Sequence, residues 1–266
     1  MPTIQRNDTT LYYEVHGAGY PVVFVHGGGG NTMAFYQQVP HFRDRYQVIT
    51  VDLRGFKQSV CAPGVVSHPI DYPDDLRAIL DAENISSAAL VCQSLGAWAG
   101  LPLAVRNPER VSCLFINGSP TPAYSEKNWQ TLRRATGIFN DTAAKRDAGI
   151  GWNRRTVRER PEVMFLYSQI KQLNPGFDST SMMDDCVKLH PEDMAGYKVP
   201  TMIAGGSHDD FLNPESHLHV ATLIPGAASH TFPDTGHSTY FEDADAFNQV
   251  LDAFLSRHVT RGVAAS

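Results

Sequence analysis

The strongest hydrophobic signal in the chain is Val22-Val23-Phe24-Val25, four consecutive apolar residues that end at His26 and a run of four glycines. A strand covered on both faces tolerates that lack of alternation, so the segment predicts a buried strand of a parallel sheet. Ahead of it, Ile4 and residues 11–15 predict a hairpin turned at Asn7-Asp8. Behind it the pattern predicts a helix over 33–42, a strand over 47–51, a loop over 52–69, a helix over 72–83, a strand over 88–92, a helix over 94–106 and a strand over 111–117. The helix at 72 is entered through Pro73 with Asp74 and Asp75 in its first turn. Free NH groups and the positive end of the helix dipole favour both choices there. Between Pro120 and Lys198 the rhythm lapses, and Trp129, Phe139, Trp152, Phe165 and Tyr167 sit in helical patches broken by Pro and Gly. It resumes with a strand over 201–204, a helix from Pro214, a strand over 228–232 and a helix over 244–258, while 260–266 are expected to fray. Strands and helices alternating at this spacing predict βαβ units, hence an α/β fold: a mostly parallel central sheet with helices on both faces. The expected organisation is a core formed by 1–119 and 199–266, interrupted by a helical lid over 120–198.

Composition narrows the partners. The chain has 266 residues, 42% of them hydrophobic and 19% charged, enough to bury a sizeable core. A net charge of -6 and the lack of a long Lys/Arg run oppose binding to nucleic acid or an anionic membrane, so a small-molecule substrate is expected. Cys61, Cys92, Cys113 and Cys186 are scattered and form no CxxC pair, which suggests packed, reduced thiols and neither a disulfide framework nor a metal site. The amino terminus lacks an apolar leader core, and no apolar stretch approaches the ~20 residues that span a bilayer. These features predict a cytoplasmic monomer or homodimer.

Chemistry concentrates just beyond predicted strands. Ser94, in Cys92-Gln93-Ser94-Leu95-Gly96, stands where a strand becomes a helix, the position that projects a nucleophilic hydroxyl over the sheet edge. The usual motif is Gly-x-Ser-x-Gly, and Cys92 replaces its first glycine. Glycines after the strand ending at Val25 let backbone NH groups approach an oxyanion, so the NH groups of Gly28 and Leu95 are the candidate oxyanion hole, with Gly27 and Gly29 beside the substrate. His237, in Asp234-Thr235-Gly236-His237-Ser238, has the residue type suited to general base work near neutrality. His68, His190, His217, His219 and His258 read as ordinary surface histidines. The acid must come from another loop, and Ala204-Gly205-Gly206-Ser207-His208-Asp209-Asp210 supplies it: Asp209 is preferred over Asp210. Asp52 is a third candidate, but Arg54 beside it suggests a local ion pair. Arg154, Arg155, Arg158 and Arg160 read as a solvated face. Trp98, Trp129 and Trp152 are candidate substrate contacts, although core packing is the preferred reading of each; one or two of the aromatics in 120–198 are expected to line any cavity against the sheet.

Taken together, His26-Gly27-Gly28-Gly29, Asp52-Leu53-Arg54-Gly55-Phe56 with Ser59, Ser94-Leu95-Gly96, the Asp209 loop and Gly236-His237 followed by Glu242 resemble the lid-bearing α/β-hydrolase superfamily over essentially the whole chain. The resemblance implies a Ser94–Asp209–His237 triad cleaving an ester, thioester or lactone, with no metal and no organic cofactor. Ser94 stands where the dehalogenase and epoxide hydrolase branches carry Asp, and Ser238 where many carbon–carbon bond hydrolases carry Trp. Two other readings stay open: a lyase or cofactor-free oxygenase that uses His237 for proton transfer, and a non-enzymatic ligand-binding receptor.

Overall fold

Strand β3 (Tyr20–Val25) lies within a sheet that has nine strands among the described residues, 2–141 and 149–259, of the computed structural model. The fraying expected for 260–266 and part of the 120–198 stretch fall outside those residues. The predicted hairpin forms from β1 (Thr3–Arg6) and β2 (Thr9–His16), turned through Asn7 at φ 51°. Strand β2 pairs antiparallel with β4 (Tyr46–Val51) and with the short β5 (Val60–Cys61). From there β4, β3, β6 (Ala88–Gln93), β7 (Val111–Asn117), β8 (Thr201–Gly206) and β9 (Ala228–Phe232) run parallel in that spatial order. All six therefore open their carboxyl ends on one edge, where loops can combine residues from distant parts of the chain.

The uniform apolarity of β3 is explained by two cores. Val23 and Val25 face a cluster that includes Leu76, Ile79 and Leu80 of α2 (Tyr72–Ala82), whereas Val22 and Phe24 face one built with Phe247, Leu251 and Phe254 of α9 (Ala244–His258). The helix predicted over 33–42 is broken into a 3₁₀ turn at Thr32–Phe35 and α1 (Gln38–Phe42). Pro40 is the physical reason: it has no NH for the carbonyl of Tyr36, and its ring excludes that carbonyl from a continuous helix.

Between β7 and β8 come α4 (Glu126–Asn140), α5 (Arg154–Glu159) and α6 (Pro161–Gln172). Side chains of Ser125 and Asn153 cap α4 and α5 by accepting from NH groups of their first turns. Helices α7 (Pro214–Leu223) and α8 (Thr239–Glu242) complete the carboxyl-terminal part with α9. Among the described residues no helix is long and apolar enough to cross a membrane.

Candidate active site

Ser94 follows the last residue of β6 directly and sits at φ 47°, in the left-handed region that side chains other than glycine rarely adopt. A 3₁₀ turn, Ser94–Gly96, leads straight into α3 (Ala97–Arg106). The predicted helix over 94–106 thus has a tight first turn, and the chain reverses within one residue. That reversal stands Ser94 at the carboxyl edge of the sheet and carries a strain of about 1–3 kcal/mol. Gly96 permits it, because a Cβ there would lie 2.5 Å from the Val25 carbonyl oxygen.

The departure at Cys92 has a structural counterpart eight residues later. A Cβ on Gly100 would collide with Cys92 Sγ, so the thiol occupies the hollow that glycine leaves in α3. Burial pushes the thiol pKa far up, which makes Cys92 a small packing residue rather than a nucleophile. Gly100→Ala is therefore expected to destabilise by about 1–3 kcal/mol through overpacking. The double variant Cys92→Gly/Gly100→Ala should recover at least half of that loss, since the added methyl group would fill the space the thiol leaves. A urea-denaturation cycle measures the coupling, and simple additivity would refute the pairing.

His237 and Asp209 meet at the same edge. His237 Nδ1 lies 2.8 Å from Asp209 Oδ2, and the Asp209 side chain is fully buried. Its other oxygen, Oδ1, accepts from the NH groups of Phe211 and Leu212 at 2.8 and 3.0 Å. Both carboxylate oxygens are thus engaged, which fixes the orientation of the group. The Phe211 ring packs edge-on against the imidazole with 4.9 Å between centroids. Asp210 is directed elsewhere, its Oδ2 accepting from Gly151 NH at 2.9 Å. Asp52 also makes no pair with His237: it is buried and accepts from the NH groups of Thr32 and Gln58 at 2.7 and 3.2 Å. The expected Asp52–Arg54 ion pair is not formed either. Arg54 instead makes a bidentate pair with Asp75 of α2, at 2.7 and 2.6 Å, which matches the guanidinium fork better than a near neighbour in a turn.

The glycine run forms a turn closed by the Gly30 NH donating to the Gly27 carbonyl at 2.9 Å. His26 fastens this turn to the exit of β4. Its Nδ1–H donates to the Gly27 carbonyl at 2.7 Å and its Nε2 accepts from Leu53 NH at 2.9 Å. Burial holds its pKa down to about 4, so the ring is a neutral latch.

A cavity of about 690 Å³ joins these parts. Its wall on the sheet side includes Gly28, Gly29, Ser94, Leu95, Trp98 and His237, and its opposite wall comes from α4 and α6 and includes Phe139, Met164 and Tyr167. Among the described residues no hydrogen bond joins the Ser94 hydroxyl to the His237 ring, a contact that commonly tightens only once substrate is bound. Trp152 lines the cavity too, but Trp129 does not: it is buried in the core, against Tyr124 and under the Lys188 ammonium. Gly27 packs against Gln93 and Ser94 rather than on the cavity surface. The four arginines at 154–160 are exposed, as expected. His217 is not a surface residue: its ring is buried flush on Gly205, with Nε2 4.0 Å from Asp209 Oδ2. Of the thiols, Cys92 and Cys113 are buried, Cys61 is partly exposed and Cys186 is exposed. Among the described residues no group of three or more His, Cys, Asp or Glu is arranged to hold a metal ion. Sequence reasoning also misses Phe177, Phe211 and Met182 on the cavity wall, where no periodicity separates wall from core.

A mostly parallel sheet with a left-handed serine after one strand and an Asp–His pair after two others defines the class, an α/β hydrolase. Residues 22–250 match the family model described as the alpha/beta hydrolase family, and the chain belongs to that family. It is 25% identical over 265 residues to a 2-hydroxy-6-oxo-6-phenylhexa-2,4-dienoate hydrolase of Burkholderia cepacia, covering 90% of this chain and 89% of the relative. It is 26% identical over 262 residues to the 2-hydroxy-6-oxononadienedioate/2-hydroxy-6-oxononatrienedioate hydrolase of Escherichia coli, covering 89% and 87%. Among solved structures, the enol-lactonase of Burkholderia xenovorans shares the fold with a TM-score of 0.76 and 22% identity, over 96% of this chain and all of the other. These relatives support hydrolase activity on a small molecule.

Proposed function

We propose that the chain hydrolyses an ester, thioester or lactone of a small organic substrate through an acyl-enzyme on Ser94. The observation that carries this reading is the juxtaposition of the left-handed Ser94 and the Asp209-paired His237 on one largely apolar cavity. Ser94 Oγ attacks the carbonyl carbon and gives its proton to His237 Nε2, while Asp209 holds the Nδ1–H and stabilises the imidazolium. The NH groups of Gly28 and Leu95 receive the oxyanion. Collapse of the tetrahedral species breaks the bond to the leaving oxygen or sulfur, which takes the proton from His237. Water then attacks the acyl-enzyme by the same route and frees the acid. Segment 120–198 acts as a lid whose apolar side chains accommodate the acyl group. The hydrolase names of the curated relatives support the reaction type.

Incubation with a fluorophosphonate is the direct test. The expected result is one covalent adduct, located by peptide mass spectrometry on Ser94. A protein that turns over substrate yet resists labelling would overturn the acyl-enzyme and favour a proton-transfer lyase or oxygenase.

A further inference from the structure

The stretch that enters α5 is bonded to both loops that carry the site. Gly151 NH donates to Asp210 Oδ2, and the Gly151 carbonyl accepts from the NH of His237 itself at 2.6 Å. Asn153 Nδ2 donates to the Asp234 carbonyl at 2.7 Å. At the centre of these contacts is Glu242, buried at the end of α8 and unused in the chemistry above. Its Oε1 accepts from Gly236 NH at 2.9 Å, one residue before His237, and its Oε2 accepts from Asn153 NH and Thr156 Oγ1, both at 3.1 Å. The Arg160 guanidinium donates to the Glu242 carbonyl at 2.7 Å.

We propose that Glu242 is a positioning residue whose carboxylate clamps residues 151–156 to the backbone of the His237 loop and so holds the ring at the angle that Asp209 and Ser94 require. The proposal rests on the reading of His237 as the general base. Its logic is a donor count. The ionised carboxylate accepts all three hydrogen bonds as charge-assisted ones. A protonated Glu242 must place its own proton, and of the three partners only Thr156 Oγ1 is able to accept. The clamp then falls to two uncharged contacts and one reversed contact. Burial pushes the Glu242 pKa up to about 7, against the pull of its three donors and with the nearby Asp209 charge adding to the rise. The other charged groups around the clamp are Arg160, Asp210 on Gly151, and Asp234 facing Arg155 and His208 at 3.7 and 3.6 Å. Closure of the clamp is consequently a second activating deprotonation, alongside that of His237. Folding has the opposite sign. A carboxyl whose folded pKa lies above its unfolded value of 4.5 contributes stability that is complete below pH 4.5 and is lost as pH rises through about 7. The ionised, clamped state is the active one and the less stable one.

The test compares the wild type with Glu242→Gln and Thr156→Val on an aryl ester from pH 5 to 9, together with amide hydrogen exchange of peptides covering 151–156 and 235–242. The expected wild-type kcat/KM rises on its acid limb with the steepness of two deprotonations. In Glu242→Gln the limb should fall to one deprotonation, with a plateau roughly 10- to 100-fold lower from misplacement of the base and KM little changed. Thr156→Val keeps the carboxylate but removes a donor to its charged form, so it should keep the plateau and move the limb to higher pH. Both peptides should exchange faster in Glu242→Gln. A merely structural glutamate would lower the melting temperature and leave the number of deprotonations unchanged, and that result, or unchanged exchange, overturns the proposal. If Glu242→Gln does not fold, an unmoved limb in Thr156→Val overturns it equally. Exchange needs no turnover, so it reads the clamp even if Ser94 should prove not to be the nucleophile.

Discussion

Ser94→Ala is expected to lower kcat on a simple aryl ester by roughly 10⁵-fold, with KM changed by no more than about threefold. The substitution deletes one oxygen and nothing else. Alanine carries the same Cβ as serine, so the left-handed turn at φ 47° is no harder to form, and Gly96 still allows α3 to approach the carbonyl end of β3. Stability should stay within about 1 kcal/mol of the wild type, because no mechanism for a larger change is engaged. What should remain is the rate that the proposed oxyanion hole of Gly28 and Leu95 and the cavity give to attack by water, on the order of 10³-fold over solution. Steady-state kinetics with a thermal melt check both halves. A variant that keeps its turnover would remove Ser94 from the mechanism, whereas one that loses turnover and melts early would show only that position 94 matters to folding.

Legibility in the sequence follows the range of the interactions concerned. The elbow at Ser94, the glycine turn and the two loops bearing Asp209 and His237 are legible because each is a short motif directly after a buried strand, and parallel strands bring all their carboxyl ends to one edge. The fold class is legible for the same reason, since the apolar strands alternate with helices at regular spacing. What stays hidden depends on partners that are distant in sequence or on another element. Cys92 looks like a defect until Gly100 is placed against it across the β6–α3 junction. Asp52 and Arg54 look like a pair because they are neighbours, yet the backbone amides of Thr32 and Gln58 and the carboxylate of Asp75 satisfy them better. His217 looks like a surface helix residue, and only the missing side chain of Gly205 makes room to bury it. In the segment between β7 and β8, core and cavity wall are equally aromatic, so Trp129 and Trp152 cannot be told apart by pattern although one packs inward and the other lines the cavity. Glu242 is a motif residue whose three donors come from two separate parts of the chain.

Asp209→Asn should reduce kcat by about 10⁴-fold, again with little effect on KM. The direction follows from the two faces of the carboxylate. Oδ1 accepts from the NH groups of Phe211 and Leu212, and Oδ2 faces His237 Nδ1. An asparagine has one oxygen to place, and turning its NH₂ toward the two backbone NH groups would set donors against donors in a buried site. The oxygen therefore stays with Phe211 and Leu212, and the NH₂ points at His237 Nδ1. That nitrogen must become the acceptor, so the ring proton moves to Nε2, and the nitrogen proposed to receive the Ser94 proton loses the lone pair it needs. Asp210→Asn provides the control. It weakens only the contact to Gly151 NH, so kcat should fall by no more than about tenfold. Combining Asp209→Asn with Ser94→Ala should be no slower than Ser94→Ala alone, since residues that act as one unit do not add. If Asp209→Asn kept more than a tenth of the wild-type kcat, or if Asp210→Asn were the more damaged of the two, the acid would have to be reassigned.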